Sequence, residues 1–396
     1  MNMKKDTLLI IMIALSFFNT SCHRTGNIET PLYADSLFQV ITIDPDALSR
    51  TERSKISIIA ESIEYIPLQT TDSILIGHAQ KMVVWQGNFY IWDKQTESIY
   101  LFDANGKFKN KLSKQGGSPE EYPRIYDFEV DRQNGDIWIY SDMTGKFYQY
   151  TTAGEFVKQV KSPVMISSFA VHKDWKYCYL GRSANMDYYK DTYPKMCRYM
   201  ALQDDQPQHQ ELAYEYKDIK VPLSSFNYSF YKDTVLLTEF LKPVIYSVDT
   251  LGRLHPRYRL EFTTNTLSLS FDEEVDLKAV KSAEKAGNYA HLFGTFFETG
   301  KYVFFNYARG LIGTGFVDKS TGTVHNQGYF LEDDFNIIGL PVSISFVDEN
   351  YMYKIVEPGI LLKNREKGNM SSYLEKICQG IQEFNNPIII RIKLKK

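Results

Sequence analysis

The stretch GNFYIWDKQTESIYLFDANGKFKNKL, residues 87–112, decides the fold. It reads as three strands. Phe89–Trp92 is continuously apolar and aromatic, Ser98–Phe102 alternates, and Lys107–Leu112 follows a tight turn. Aromatic residues pack well on a pleated, half-buried surface. The turn Asp103-Ala104-Asn105-Gly106 supplies an Asn-Gly pair that tolerates positive φ and closes a hairpin. Asp103 and Asn105 also carry ligand oxygens. With no acidic ligand following, they read as turn chemistry and not as a calcium loop.

Working outward, the same pattern recurs. GDIWIYSDMTGKFYQYTTAGEFVKQV, residues 135–160, has strands at Ile137–Tyr140, Lys146–Tyr150 and Glu155–Val160, with Ala153-Gly154 at the turn. Weaker copies run from Thr234 to Phe262 and from Lys301 to Phe330, with turns at Thr250-Leu251-Gly252 and Ser320-Thr321-Gly322. An interrupted copy has strands at Lys176–Leu180, Cys197–Leu202 and His209–Leu212 around a long insert. Apolar strands open the units at Lys81–Trp85, Tyr126–Asp131, Ser167–His172, Phe226–Tyr231, Leu292–Glu298 and Val342–Val347. A four-strand unit cannot bury both its faces alone, so such units stack around an axis. Six opening strands predict an all-β chain folded as a six-bladed β-propeller. The last strand, Pro387–Leu394, is expected to complete the sixth unit together with an N-terminal strand such as Ile63–Leu68, which hides open sheet edges.

Two stretches break the pattern as short helical insertions. Leu374, Ile377, Ile381 and Phe384 fall on one helical face, and Asp272–Ala286 is rich in Glu, Lys and Ala. Both stripes read as packing against the rim before they read as docking sites.

The N-terminus carries a targeting signal and no part of the fold. Lys4 and Lys5 precede an apolar run, Leu8–Phe18, too short to span roughly 30 Å of hydrocarbon as a helix. Thr20 and Ser21 then precede Cys22 in the manner of a lipobox, although Asn19 sits where an aliphatic residue is usual. Residues 1–21 are therefore expected to be a lipoprotein signal peptide, residues 22–59 a lipid-anchored tether and N-terminal segment, and residues 60–396 the propeller. Removing residues 1–21 takes out Lys4, Lys5 and Asp6 and moves the net charge from −3 to −4. So balanced a charge points away from nucleic acid as a partner. The remaining cysteines, Cys178, Cys197 and Cys378, are odd in number, so no fully paired disulfide framework exists. Cys178 and Cys197 either pair or are buried thiols. No Cys-x-x-Cys occurs, and the seven His show no metal-ligand spacing.

Three segments resemble the NHL-like six-bladed β-propeller lipoproteins of Bacteroidetes. IEYIPLQTTDSILIG (63–77) is similar to that family's opening strand and turn. KLSKQGGSPEEYPRIYDFEVD (111–131) is similar to its Gly-rich turn with Pro-x-Glu-Tyr and Asp-Phe-x-x-Asp. NNPIIIRIKLKK (385–396) resembles its closing strand. The resemblance covers roughly residues 60–396 and departs most from Ser183 to Leu223. It implies a fold and an envelope location more than an activity. It also associates surface export with acidic residues directly after the lipidated cysteine. His23 and Arg24 stand there, which favours anchoring to the outer membrane on its periplasmic side.

Function must be sought where loops converge on the propeller axis. Gly116–Arg124 delivers Glu120, Glu121, Tyr122 and Arg124 just before an opening strand. Glu121 and Arg124 would be polar contacts at the channel mouth, with Tyr122 a flat surface for a sugar or peptide. The structural alternative packs Tyr122 between units and pairs Arg124 with Asp127. In the aromatic insert 185–193, Tyr188 and Tyr189 suit a glycan or a protein interface. Asn227, Tyr228 and His291 lie on opening strands. A calcium-dependent hydrolase or lyase acting on a carbohydrate or lactone would need a converging oxygen cluster, for which Glu121, Asp127, Asn227 and Asn288 are the material. No nucleophile elbow, His-Glu-x-x-His, P-loop or Rossmann glycine pattern is found. The sequence thus favours a non-enzymatic, cofactor-free envelope protein, held to the membrane by Cys22, that binds a glycan, a peptide or another envelope protein.

Overall fold

Strands near the axis of this chain are buried on both faces, and their sequences show it. Asn88–Asp93 and Ser98–Phe102 are almost wholly buried, whereas Phe156–Lys161, an outermost strand, is half-exposed. A strand covered on both faces needs no alternation, which is why Phe89–Trp92 reads as a continuous apolar run. The computed structural model describes residues 38–47, 53–181, 185–215, 227–239, 241–265, 277–340, 343–368 and 370–396.

These residues form an all-β propeller. The first sheet comprises Ala79–Trp85, Asn88–Asp93, Ser98–Phe102 and Phe108–Leu112; the second, Asp127–Val130, Ile137–Ser141, Lys146–Tyr150 and Phe156–Lys161. The third comprises Ser168–His172, Trp175–Tyr179, Lys195–Gln203 and Gln206–Glu215. In the fourth, Tyr228–Tyr231, Thr234–Thr238, Val244–Val248 and Leu254–Phe262 gain a fifth strand, Gln39–Ile43, parallel to the last of them. The fifth comprises His291–Glu298, Tyr302–Ala308, Ile312–Asp318 and Thr323–Gly328. The sixth comprises Phe346–Val347, Tyr351–Val356, Ile388–Leu394 and Ala60–Pro67. The first strand of each of these sheets packs on that of the next, and the sixth returns to the first, around a central channel.

The expected count of six is corrected: the described residues form seven sheets. The additional one is three-stranded, with Arg53–Lys55 parallel to Phe330–Asp333 and Ile338–Leu340 antiparallel to it. It packs beside Thr323–Gly328. Its strands are only three or four residues long, too short to show a period, and Arg53 pairs with a residue far along the chain.

The chain ends close as a single sheet. Ile388–Leu394 lies between Tyr351–Val356 and Ala60–Pro67, antiparallel to both. Asn386 welds this junction from within: Nδ2 donates to the carbonyls of Gln69 and Ile74 at 2.8 Å, and Oδ1 accepts from Ile76 N–H at 2.8 Å. The Asn-Pro before the closing strand therefore has a physical role. Apolar clusters fill the gaps between neighbouring sheets; Val83, Tyr90, Phe128, Ile139 and Tyr150, for example, join the first two.

Asp103 acts as turn chemistry. One carboxylate oxygen accepts from Asn105 and Lys107 N–H, each at 2.9 Å, and Asp249 repeats this arrangement with Leu251 and Arg253. Helix α1 spans Leu277–Lys285, inside the expected Asp272–Ala286, whose first five residues lie outside the described ones. The C-terminal helix is corrected. Pro358–Glu366 (α2) and Ser372–Cys378 (α3) form two short helices, so Ile381 and Phe384 lie beyond the last helical turn. Cys178, Cys197 and Cys378 are free and buried. Cys22, the signal segment and Phe226 lie outside the described residues. Among the described residues, no helix is long and apolar enough to cross a membrane.

Candidate functional site: the channel and its upper mouth

All six opening strands run the same way, so the channel has an upper end, where they begin, and a lower end, where they stop. The innermost strand of a propeller blade has one edge without a sheet partner, and its backbone groups must be satisfied by other means. Here side chains do this. Lys81 Nζ donates to Asp127 Oδ1 at 2.8 Å and to the Phe128 carbonyl at 2.6 Å. The other Asp127 oxygen accepts from Phe169 N–H at 3.1 Å. Glu129 accepts from Val130 N–H at 3.0 Å and stands 3.6 Å from Lys81. Lower down, Arg132 donates to the Val84 carbonyl at 3.0 Å, and its guanidinium lies against the rings of Phe230 and Phe346, 4.5 and 5.4 Å from their centroids.

This arrangement narrows the channel. What remains is a cavity of about 40 Å³, room for one or two waters. Its charges are two cations, Lys81 and Arg132, and two carboxylates, Asp127 and Glu129. Burial pushes the Asp127 carboxyl up to about 6, opposed by the Lys81 ammonium. Against the cost of desolvation, Asp127 and Glu129 hold Lys81 above the ordinary lysine range.

Asn227 and Tyr228 do line the channel wall. Asn227 is fully engaged, donating to the Thr238 carbonyl at 2.8 Å and accepting from the Ser168 hydroxyl at 3.0 Å. The Tyr228 hydroxyl is buried without a hydrogen-bond partner among the described residues, and burial raises it well above the usual tyrosine range. Tyr122 is fully buried between the first two sheets; its hydroxyl donates to the Glu97 carbonyl at 2.9 Å and accepts from Lys114 N–H at 3.2 Å. That is a connector and not a ligand platform. Glu121 accepts from Ser118 N–H at 3.0 Å, which holds its carboxyl below the ordinary range. Glu120 is exposed, and its carbonyl accepts from the Tyr150 hydroxyl.

The expected Arg124–Asp127 pair is corrected. Arg124 makes a two-pronged contact with Asp142, with Nε 2.7 Å from Oδ1, because Asp127 is already taken by Lys81 at the axis. Tyr189 is buried, while Tyr188 is part-exposed with its ring 4.9 Å from that of Tyr189. His291 is buried off the axis, beside a cavity of about 240 Å³ between the fourth and fifth sheets; burial lowers its pKa. Glu121, Asp127 and Asn227 have separate partners, and no group of three or more His, Cys, Asp or Glu among the described residues could hold a metal ion.

Sequence reasoning missed Lys81, Glu129 and Arg132. It also missed the upper mouth, where a cavity of about 210 Å³ opens between the first, fifth and sixth sheets beside Gln80, Phe293, Asn306, Ser343 and Ser345. Only Asp127 and Glu129, alternating with Phe128 and Val130 in an opening strand, hinted at the former.

In structure the chain is similar to a Bacteroides fragilis protein described as exported, at 17% identity and a TM-score of 0.70, covering 90% of this chain and 100% of that one. It is also similar to a member of the DUF4221 family from Bacteroides vulgatus, at 10% identity and a TM-score of 0.48, covering 85% and 97%. No curated protein matches it in sequence. The first likeness supports the propeller fold. Residues 38–393 match a family described as a domain of unknown function, DUF4934, and to that family the chain belongs.

Proposed function

We propose that the protein is a non-enzymatic binding or scaffolding module of the cell envelope, tethered through Cys22 on the periplasmic side of the outer membrane. It presents the upper face of its propeller to a glycan, peptide or protein partner. One observation carries this reading: the ionised side chains at the axis are spent on one another and on the inner-strand backbone. A catalytic acid or base needs a proton-transfer partner on the substrate, and Asp127 and Glu129 already have theirs. The upper face, by contrast, carries an open cavity and the exposed side chains of Met143, Met186 and Phe293.

Site-specific photo-crosslinking in intact envelopes tests the reading. Photo-reactive residues at Met143 and Met186, in upper-face loops, should give defined adducts. The same residues at Asn105 and Asp233, in lower-face turns, should give none. Adducts from the lower face alone would overturn it, as would stoichiometric calcium in purified protein that a chelator removes together with a hydrolytic or lyase activity. Anchoring is checked separately, by loss of lipid labelling and membrane retention in Cys22→Ala.

A further inference from the structure

The opening strand of the fifth sheet does not run straight. Leu292 pairs with Tyr307, but the next paired residue is Phe296, opposite Phe305. Phe293, Gly294 and Thr295 thus stand against Asn306 alone, a bulge of the kind that re-aims a side chain beside a site. Gly294 takes φ +72°, and its carbonyl accepts from the Thr238 hydroxyl at 3.3 Å, which ties the bulge to the fourth sheet. The result is a large aromatic side chain, Phe293, left 40% exposed at the rim of the upper cavity, where regular pairing would have kept the strand in the ladder.

The rest of that cavity has a definite chemistry. Gln80 and Asn306 bring carboxamides, and Ser343 and Ser345 lie beside them. Asn306 is buried and held in place by the Thr314 hydroxyl, 3.0 Å from its Oδ1; the Ser345 hydroxyl accepts from Ile355 N–H at 3.1 Å. The charged residue in the wall is Lys81, whose ammonium is already occupied by Asp127 and the Phe128 carbonyl. Among the described residues, no carboxylate lines the cavity. An anion or a cation would therefore find no free counter-charge there, while a neutral molecule with hydroxyls on its edge and a C–H face would find both kinds of partner. The volume, about 210 Å³, corresponds to roughly seven waters at liquid density and is below the ~300 Å³ at which drug-sized pockets begin. One six-membered ring fits that scale.

We infer that this cavity binds a single neutral sugar ring, stacked on Phe293 and hydrogen-bonded by Asn306, Gln80 and the serines. The inference rests on the binding-module reading and names its ligand class. The probes are neutral methyl hexosides (the glucoside, galactoside and mannoside), read by saturation-transfer NMR on the full-length, detergent-solubilised protein. At least one hexoside should give saturation transfer. Phe293→Ala should weaken it roughly five- to tenfold, the loss expected for one aromatic contact. Phe293→Trp should restore it, Asn306→Ala should weaken it, and Leu251→Ala, at an exposed lower-face turn, should leave it unchanged. Unfolding temperatures of the Phe293 variants should match the parent, since that ring is exposed. Absence of transfer from every hexoside overturns the inference, as does transfer undiminished in Phe293→Ala or a preference for glucuronate or glucosamine. Upper-face crosslinks without hexoside binding would sink the sugar site and leave the binding module standing.

Discussion

The Lys81 ammonium lies 2.8 Å from the Asp127 carboxylate across the boundary between the first two sheets, with the Asp127 side chain wholly inaccessible to solvent. Asp127 in turn reaches Phe169 N–H on the third sheet. One pair therefore ties three sheets at the axis. Breaking a buried pair from one side strands the remaining charge, at a cost of about 3–5 kcal/mol. Lys81→Met should lose stability of that order in urea unfolding at neutral pH. The double variant Lys81→Met/Asp127→Asn should recover a large part of it, since Asn can still accept from Phe169 N–H. A loss below about 1 kcal/mol in the single variant, or no coupling in the cycle, would show the pair to be incidental.

Tyr122 distinguishes a structural motif from a ligand site. Tyr122→Phe keeps the ring among Tyr148 and Tyr150 and removes only a hydroxyl that serves Glu97 and Lys114. Two part-buried backbone groups lose their partner, so unfolding stability should fall by about 0.5–1.5 kcal/mol. Upper-face crosslinking and hexoside binding should not change. Loss of binding with unchanged stability would return Tyr122 to the ligand surface.

Gly87 and Gly106 share a positive φ and differ in what surrounds them. At Gly87 the nearest atom to an added Cβ is 3.6 Å away; at Gly106 the Pro67 carbonyl oxygen would be 2.5 Å away. Pro67 ends the strand that pairs with the closing strand, so that backbone cannot retreat without disturbing the junction. Gly87→Ala should cost about 1–2 kcal/mol, the conformational penalty alone. Gly106→Ala should cost at least about 1 kcal/mol more. Equal costs in thermal unfolding would remove the argument from contact.

What could be read in the chain beforehand follows from the range of the interactions. Asn105-Gly106 and the strands around it are local, and their turn chemistry is written in adjacent residues. Asn386 and Tyr122 act over longer distances but sit in motifs whose residue types announce a special role. Lys81, Glu129 and Arg132 gave little sign, because what makes them a network is an inner edge shared by different sheets. The bulge at Phe293 was illegible for a related reason. A bulge is a property of pairing, and His291–Glu298 reads as an ordinary apolar strand. The seventh sheet depends on Arg53–Lys55 meeting Phe330–Asp333, and nothing local in either segment names the other.

Lys354 gives the fold a pH dependence of predictable sign. Its side chain is buried, its amine donates to the Ser343 carbonyl at 2.9 Å, and burial lowers its pKa to about 7 from the usual 10.5. Between those values the unfolded chain binds a proton that the folded chain does not. Stability contributed by the neutral amine is therefore complete above about pH 10.5 and is lost as pH falls toward 7, with a slope of at most about 1.4 kcal/mol per pH unit. Lys354→Met should be flatter than the parent between pH 7 and 9 in urea unfolding. Parallel curves for the two proteins would show that the amine stays protonated in the fold.

The Tyr228 hydroxyl offers the converse test, a polar atom whose removal should do no harm. It is buried at the channel wall with no hydrogen-bond partner among the described residues, so its desolvation is uncompensated there. Uncompensated burial of a hydroxyl costs about 1–3 kcal/mol in proteins. Tyr228→Phe preserves the ring, removes that cost, and should leave the protein equally stable or up to about 1 kcal/mol more stable. The neighbouring cavity of about 40 Å³ is large enough to hold water. If water there bonded the hydroxyl, the same substitution would destabilise the fold by about 1 kcal/mol or more, since the water would lose a partner. The sign of the change in unfolding temperature thus reports whether water reaches the Tyr228 hydroxyl, and destabilisation would contradict the account of this hydroxyl as unpartnered.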